Sequence, residues 1–238
     1  MKRLNLFFLS MMALLSCSSA ALADGFGINA TRLIYPQGAD SISVSVRNTQ
    51  PTIPYLVQVS LSQSAESRDS TPFMVTPPVF RLEPKSVNQI RIAGNGVALP
   101  KDRESVFYFK ATAIPASKGP TAKQSNTGVQ AAVQFGVGNI IKMFYRPEGL
   151  PSTSTEAQQG LQFSRENNGL RVNNPSPYFV SLAGIKFGGQ DLKLDSPAAL
   201  MIAPFDSHVY PTSVRSGAIE WQTINDQGGV DEFKHALP

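Results

Sequence analysis

Past Asp24 the chain alternates apolar and polar residues with a period of two, in short runs separated by turn clusters every eight to twelve residues. Such runs are strands with one buried and one wetted face, and strands at this spacing build sandwiches or barrels. Ile42, Val44 and Val46 alternate with Ser and Arg, and Tyr55, Val57, Val59 and Leu61 alternate with Leu56, Gln58, Ser60 and Ser62. Further strands are predicted over 28–35, 73–82, 87–93, 106–114 and 129–145, so about seven precede Pro147. From Pro147 to Glu156 two prolines and a glycine interrupt a polar stretch without periodicity, which reads as a linker. A second strand series then covers 161–164, 169–173, 178–187, 207–210 and 218–224. The pattern predicts an all-β protein of two β-sandwich domains, 24–147 and 148–238.

Composition supports this. Gly and Pro, 18 each, exclude an all-helical fold, while 42% hydrophobic and 16% charged residues describe a globular chain. A length of 238 residues suits two domains of about 100 to 120 residues each. Residues 1–23 read as a secretory signal: Lys2 and Arg3 form a positive head, Leu4 to Leu15 an apolar stretch, and Ala21-Leu22-Ala23 a cleavage site. That stretch is too short to span a bilayer. Cleavage after Ala23 removes two cations and no anion, lowering the formal charge from +4 to +2, so bulk charge gives no basis for nucleic-acid binding. The single cysteine, Cys17, lies in the leader, where Leu14-Leu15-Ser16-Cys17 is a weaker match to a lipoprotein signal than the Ala-Leu-Ala site. The mature chain is therefore an exported protein without a thiol or disulfide, held by apolar cores. No later apolar run is long enough for membrane insertion.

The 129–145 segment is the unusual one. Val129, Ala131, Val133, Phe135 and Val137 share one face, with Gln130, Ala132, Gln134, Gly136 and Gly138 opposite. Fully extended it would run ~56 Å, roughly three times a common strand, so part should overhang its sandwich. An overhanging apolar edge invites aggregation unless it pairs with a partner. Gly136 and Gly138 suggest a bulge or a close backbone approach.

Material for an enzyme is missing. The only histidines are His208 and His235, and no G-x-S-x-G occurs. Without mature cysteines neither a Cys-His pair nor a Cys-rich metal site can form. The reading is of a non-enzyme with no catalytic residue, metal or cofactor. A competing reading is an adhesive or carbohydrate-binding module with Trp221 as its stacking platform, although Ile219, Glu220 and Gln222 around it suit a packed strand.

Several stretches resemble the periplasmic chaperones of chaperone–usher pili, the PapD-like family. They are Thr31-Arg32, Pro54-Tyr55-Leu56, Thr76-Pro77-Pro78 with Arg81-Leu82-Glu83-Pro84, residues 100–109, residues 141–147, Asn174-Pro175-Ser176-Pro177-Tyr178, and Asn225-Asp226 with Gly228-Gly229. They run through nearly all of the mature chain in family order. The resemblance implies two immunoglobulin-like domains set as a boomerang, the first of which binds pilin subunits that lack a final strand. It implies that Arg32 and Lys142 hold the subunit's C-terminal carboxylate, and that Val129, Ala131, Val133, Phe135 and Val137 fill its groove. Glu104, Arg146 and Asp226 match a trio of charges bridging the domains, and a cis bond is implied at Pro77 or Pro78. The implied partners are pilin subunits and an outer-membrane usher, in the periplasm, with self-association through the exposed strand left open. Residues 115–128 form a longer segment than in short-loop members, yet lack the paired cysteines of long-loop members, which leaves the subclass open.

Overall fold

The computed structural model of the chain describes residues 25–96, 98–116 and 135–237. Among the described residues nine strands precede Pro147: β1 (Phe26–Ile28), β2 (Arg32–Pro36), β3 (Ser41–Asn48), β4 (Tyr55–Ser62), β5 (Phe73–Thr76), β6 (Val79–Leu82), β7 (Ser86–Gly94), β8 (Ser105–Pro115) and β9 (Val137–Arg146). They form two sheets, ordered β1-β3-β7-β5 and β2-β9-β8-β4-β6. Inward residues of both, among them Val46, Val57, Ile90, Ile92, Phe109 and Met143, form one apolar core. An immunoglobulin-like sandwich results.

Two segments read as single strands are each split between the sheets. Residues 28–35 divide into β1, antiparallel to β3, and β2, parallel to β9. Residues 73–82 divide into β5 and β6, separated by the cis Thr76–Pro77 bond and Pro78. Alternation tells which residues face inward, not which sheet a strand joins, so neither crossover shows in the pattern. The first crossover has a functional consequence: it sets Arg32 beside Lys142.

The second sandwich contains β10 (Gln162–Glu166), β11 (Gly169–Asn173), β12 (Val180–Phe187), β13 (Gln190–Asp191), β14 (Met201–Ile202), β15 (Ser207–Pro211), β16 (Gly217–Ile224) and β17 (Val230–Leu237). Its sheets run β10-β11-β15 and β13-β12-β16-β17, with β14 also on β12, around a core that includes Leu170, Val172, Phe187, Tyr210 and Trp221. Trp221 is 4% exposed, packed against Phe163 and Phe233, so it offers no stacking platform.

The stretch read as a linker carries structure. Helix α1 (Ser154–Gln159) starts at Thr153, whose Oγ1 accepts from Glu156 N at 3.2 Å while its own N donates to Glu156 Oε2 at 2.8 Å. This reciprocal pairing satisfies two otherwise free donors of the first turn. Buried Gln158 then ties the helix to β16, its carbonyl accepting from Trp221 Nε1 at 3.0 Å and its side chain from Thr223 Oγ1. A second short helix, α2 (Pro197–Leu200), packs buried Ala199 on the core, and the Ala199 carbonyl accepts from Tyr210 Oη at 2.7 Å. No helix among the described residues is long and apolar enough to cross a membrane.

Candidate functional site

The site is built where β2 and β9 run side by side at the junction of the two sandwiches. Their parallel register pairs Arg32 with Lys142, Leu33 with Met143, Ile34 with Phe144 and Tyr35 with Tyr145. Leu33, Tyr35 and Met143 point into the core, which forces Arg32 and Lys142 onto the opposite face as neighbours. Two cations at adjacent strand positions repel. Burial first, and then Arg32, holds the Lys142 ammonium below the ordinary lysine value. Burial likewise lowers Arg32, opposed by the more distant Asp226 and Glu104 carboxylates.

Neither cation forms an ion pair among the described residues. Arg32 Nη1 donates to the Ile224 carbonyl at 2.7 Å, its guanidinium lies 5.8 Å from the Phe144 ring centroid, and its Nε is buried with no hydrogen-bond partner. A buried unpaired donor beside a second cation is costly unless an anion joins it. The arrangement leaves two neighbouring cations without a counter-ion among the described residues and one buried donor unsatisfied.

A second cluster joins the sandwiches. Arg146 Nε donates to Glu104 Oε1 at 2.7 Å, while Nη1 and Nη2 donate to Asp226 Oδ2 and Oδ1 at 2.7 and 3.0 Å. Glu104 Oε2 accepts from Phe179 N at 2.9 Å, and Asp226 Oδ1 from Ser154 Oγ at 3.1 Å. Glu104 is buried, 3% exposed. Burial pushes its carboxyl up against the opposing pull of Arg146. Burial pushes Asp226 up, but the hydrogen bonds and charge of Arg146, with the Ser154 hydroxyl and the Arg32 charge, together hold it below the ordinary range. The Phe144–Phe179 ring pair, 5.7 Å apart, and Arg103 over the Phe205 ring at 4.8 Å add apolar and cation–π contact across the junction.

Above the anchor pair, β9 pairs with β8 without a register shift from Tyr145 to Val137, so Gly138 marks no bulge. Its odd-numbered face runs from buried Met143 through partly buried Ile141 and Asn139 to Val137, 47% exposed; Phe135, 79% exposed, lies two residues before the strand begins. β2 covers the outer edge of β9 only over Lys142–Arg146; among the described residues the edge from Val137 to Ile141 has no strand partner. Val129, Ala131 and Val133 lie outside the described residues, as do the leader and the Ala23 site.

Sequence reading missed four participants here: the Ile224 carbonyl, Ser154, Phe179 and the Arg103–Phe205 contact. The Thr153-x-x-Glu156 spacing was a readable helix-start signal that would have placed Ser154. A backbone carbonyl has no sequence signature.

Residues 25–151 match the family model of the pili and flagellar-assembly chaperone PapD N-terminal domain, and residues 156–235 that of the pili assembly chaperone PapD C-terminal domain. The chain belongs to the PapD family of pilus-assembly chaperones. The chaperone is 38% identical over 219 residues to the probable fimbrial chaperone protein ElfD of Escherichia coli strain K12, covering 90% of this chain and 88% of that protein. Among solved structures it is similar to the E. coli chaperone DraB, at 30% identity and a TM-score of 0.75 over 90% of this chain and 97% of that one. It is also similar to a chain of the Salmonella enterica SafA pilin–SafB chaperone complex, at 29% identity and a TM-score of 0.75 over 92% and 99% of the two chains. The family is one of chaperones, not of enzymes.

Proposed function

We propose that this chaperone captures pilin subunits by strand addition. The upper end of β9 enters the groove of an unfinished subunit, and the subunit's C-terminal carboxylate is held between Arg32 and Lys142. The observation that carries this reading is the adjacency of two partly buried cations with no counter-ion among the described residues. A terminal carboxylate is small and planar and ends a strand, so it can accept from the free Arg32 Nε–H and from the Lys142 ammonium. Strand addition between chaperones and pilins is an established mode of recognition, and the SafB relative is recorded in complex with a pilin. The open edge and the exposed apolar side chains of Val137 and Phe135 supply the two things such an addition needs: free backbone groups and side chains for a groove.

On this reading the anchor sets register while the strand adds area. Each large apolar side chain moved from water into a groove contributes about 1.5–3 kcal/mol before ordering costs. The Glu104–Arg146–Asp226 cluster fixes the angle between the sandwiches and hence the shape of the cleft. The chaperone works in the periplasm once the leader is removed after Ala23, and passes subunits to an outer-membrane usher.

Phe135→Asp tests the strand. It places a charge where an apolar groove would close, so co-expression with a pilin subunit should yield roughly a hundredfold less complex by affinity capture, with an unchanged thermal melt of the free chaperone. Undiminished capture would remove Phe135 from the interface.

A further inference from the structure

We infer that the β16–β17 turn of the second sandwich positions Arg32, and that Gly228 is the residue on which this depends. The inference rests on the anchoring reading above and adds a requirement to it: the cleft of the first sandwich is competent only when this turn is seated against it.

The turn is internally built. Asn225 N donates to the Gly229 carbonyl at 2.9 Å, Gly228 N to the Asn225 carbonyl at 2.9 Å, and Gly229 N to Asn225 Oδ1 at 2.8 Å. Asn225 Nδ2 donates to Asp231 Oδ1 at 3.1 Å. Two groups then connect it to the first sandwich, the Asp226 carboxylate on Arg146 and the Ile224 carbonyl on Arg32 Nη1. The second bond turns the guanidinium so that Nη1 is occupied and Nε remains the buried, unpaired donor.

Close approach at Gly228 makes this possible. Its φ is +84°, and a Cβ there would lie 2.0 Å from Thr31 Oγ1, 3.2 Å from Thr31 Cβ and 3.3 Å from Thr31 Cγ2. Thr31 immediately precedes Arg32, so a side chain at 228 drives the turn and the start of β2 apart and draws the Ile224 carbonyl away from Arg32 unless the Thr31 side chain gives way. Glycine is needed here for the contact, and the positive φ by itself only strains an L-residue in place.

The test uses the mature chaperone labelled with 15N, with acetate as the carboxylate probe and acetamide as its uncharged control. In the wild type, acetate should shift the Arg32 Nε and Lys142 Nζ resonances saturably and acetamide should not. Gly228→Ala should weaken acetate binding by on the order of tenfold, as expected for a misdirected charge-assisted hydrogen bond. Thr31→Gly combined with Gly228→Ala removes the clash but keeps the backbone strain, and should restore binding. Wild-type acetate affinity in Gly228→Ala, or no recovery in the double variant, would overturn the role of the turn while leaving the anchor intact. No acetate response at Arg32 or Lys142 in the wild type would overturn the anchor itself, and this inference with it.

Discussion

Replacing Lys142 with Met should weaken subunit capture roughly ten- to a hundredfold and at the same time leave the free chaperone as stable as the wild type or more so. The ammonium sits beside Arg32 in partly buried, apolar company, and both burial and that neighbour disfavour its charge. Met keeps the apolar stem and removes the repulsion. A lysine depressed in the fold costs stability while it is protonated, so the gain should be full at neutral pH. It should shrink as pH rises toward the ordinary lysine value of 10.5, where the wild-type group is discharged as well. Capture loses a charge-assisted hydrogen bond of about 1.5–3 kcal/mol, roughly ten- to a hundredfold in affinity. Arg32→Met should weaken capture comparably without the stability gain, because it also breaks the bond to the Ile224 carbonyl. Denaturant melts of the free variants and titration with a pilin subunit check both halves. Unchanged affinity in both variants would reject the anchor.

Arg146→Met should be the most destabilising single change at the junction. It strands the Glu104 carboxylate, 3% exposed, with only the Phe179 N–H, and leaves Asp226 with only Ser154 among its hydrogen-bond partners. Removing one partner of a buried ion pair costs about 3–5 kcal/mol, whereas an exposed pair is worth about 0–1 kcal/mol. Adding Glu104→Gln should recover much of the loss, since the buried charge is then gone and the amide oxygen still accepts from Phe179. Chemical unfolding of the single and double variants measures both effects. A loss below about 1 kcal/mol for Arg146→Met would return the cluster to the class of surface pairs.

The legible and illegible parts of the molecule separate on physical grounds. Strands with one dry and one wet face announce themselves through alternation, so β3, β4, β7, β8 and β16 were readable close to their ends. β17 was not, because Asp231, Glu232, Lys234 and His235 crowd an edge strand whose apolar anchors, Phe233 stacked on Trp221 and Leu237, are four residues apart and show no period of two. Charges on an edge are what keep it from pairing with strangers, and they also hide it from a period-two reading. The crossovers after β1 and β5 escaped because alternation carries no information about sheet membership. Helix α1 escaped because six residues are too few for a helical stripe, although its capping pair was in view.

At the site, Arg32 and Lys142 were named from a resemblance, and the parallel β2–β9 register places them side by side. Their dependence on the second sandwich was not readable, since a backbone carbonyl at 224 and the space around a glycine at 228 become visible only in three dimensions. The Glu104–Arg146–Asp226 bridge forms as the resemblance implies, but the depth of Glu104 was not readable, because what buries it is Pro177 to Phe179 of the other sandwich, more than 70 residues on.

The central claim is that one chain completes another and that two cations decide where the client ends. A crystal structure of the chaperone bound to a pilin subunit tests it most directly. The account predicts the subunit's terminal carboxylate within about 3 Å of Arg32 Nε and Lys142 Nζ, with its groove filled by chaperone backbone running on from Val137 and Phe135. A terminus seated away from the β2–β9 junction, or a groove filled by any other segment, would contradict it.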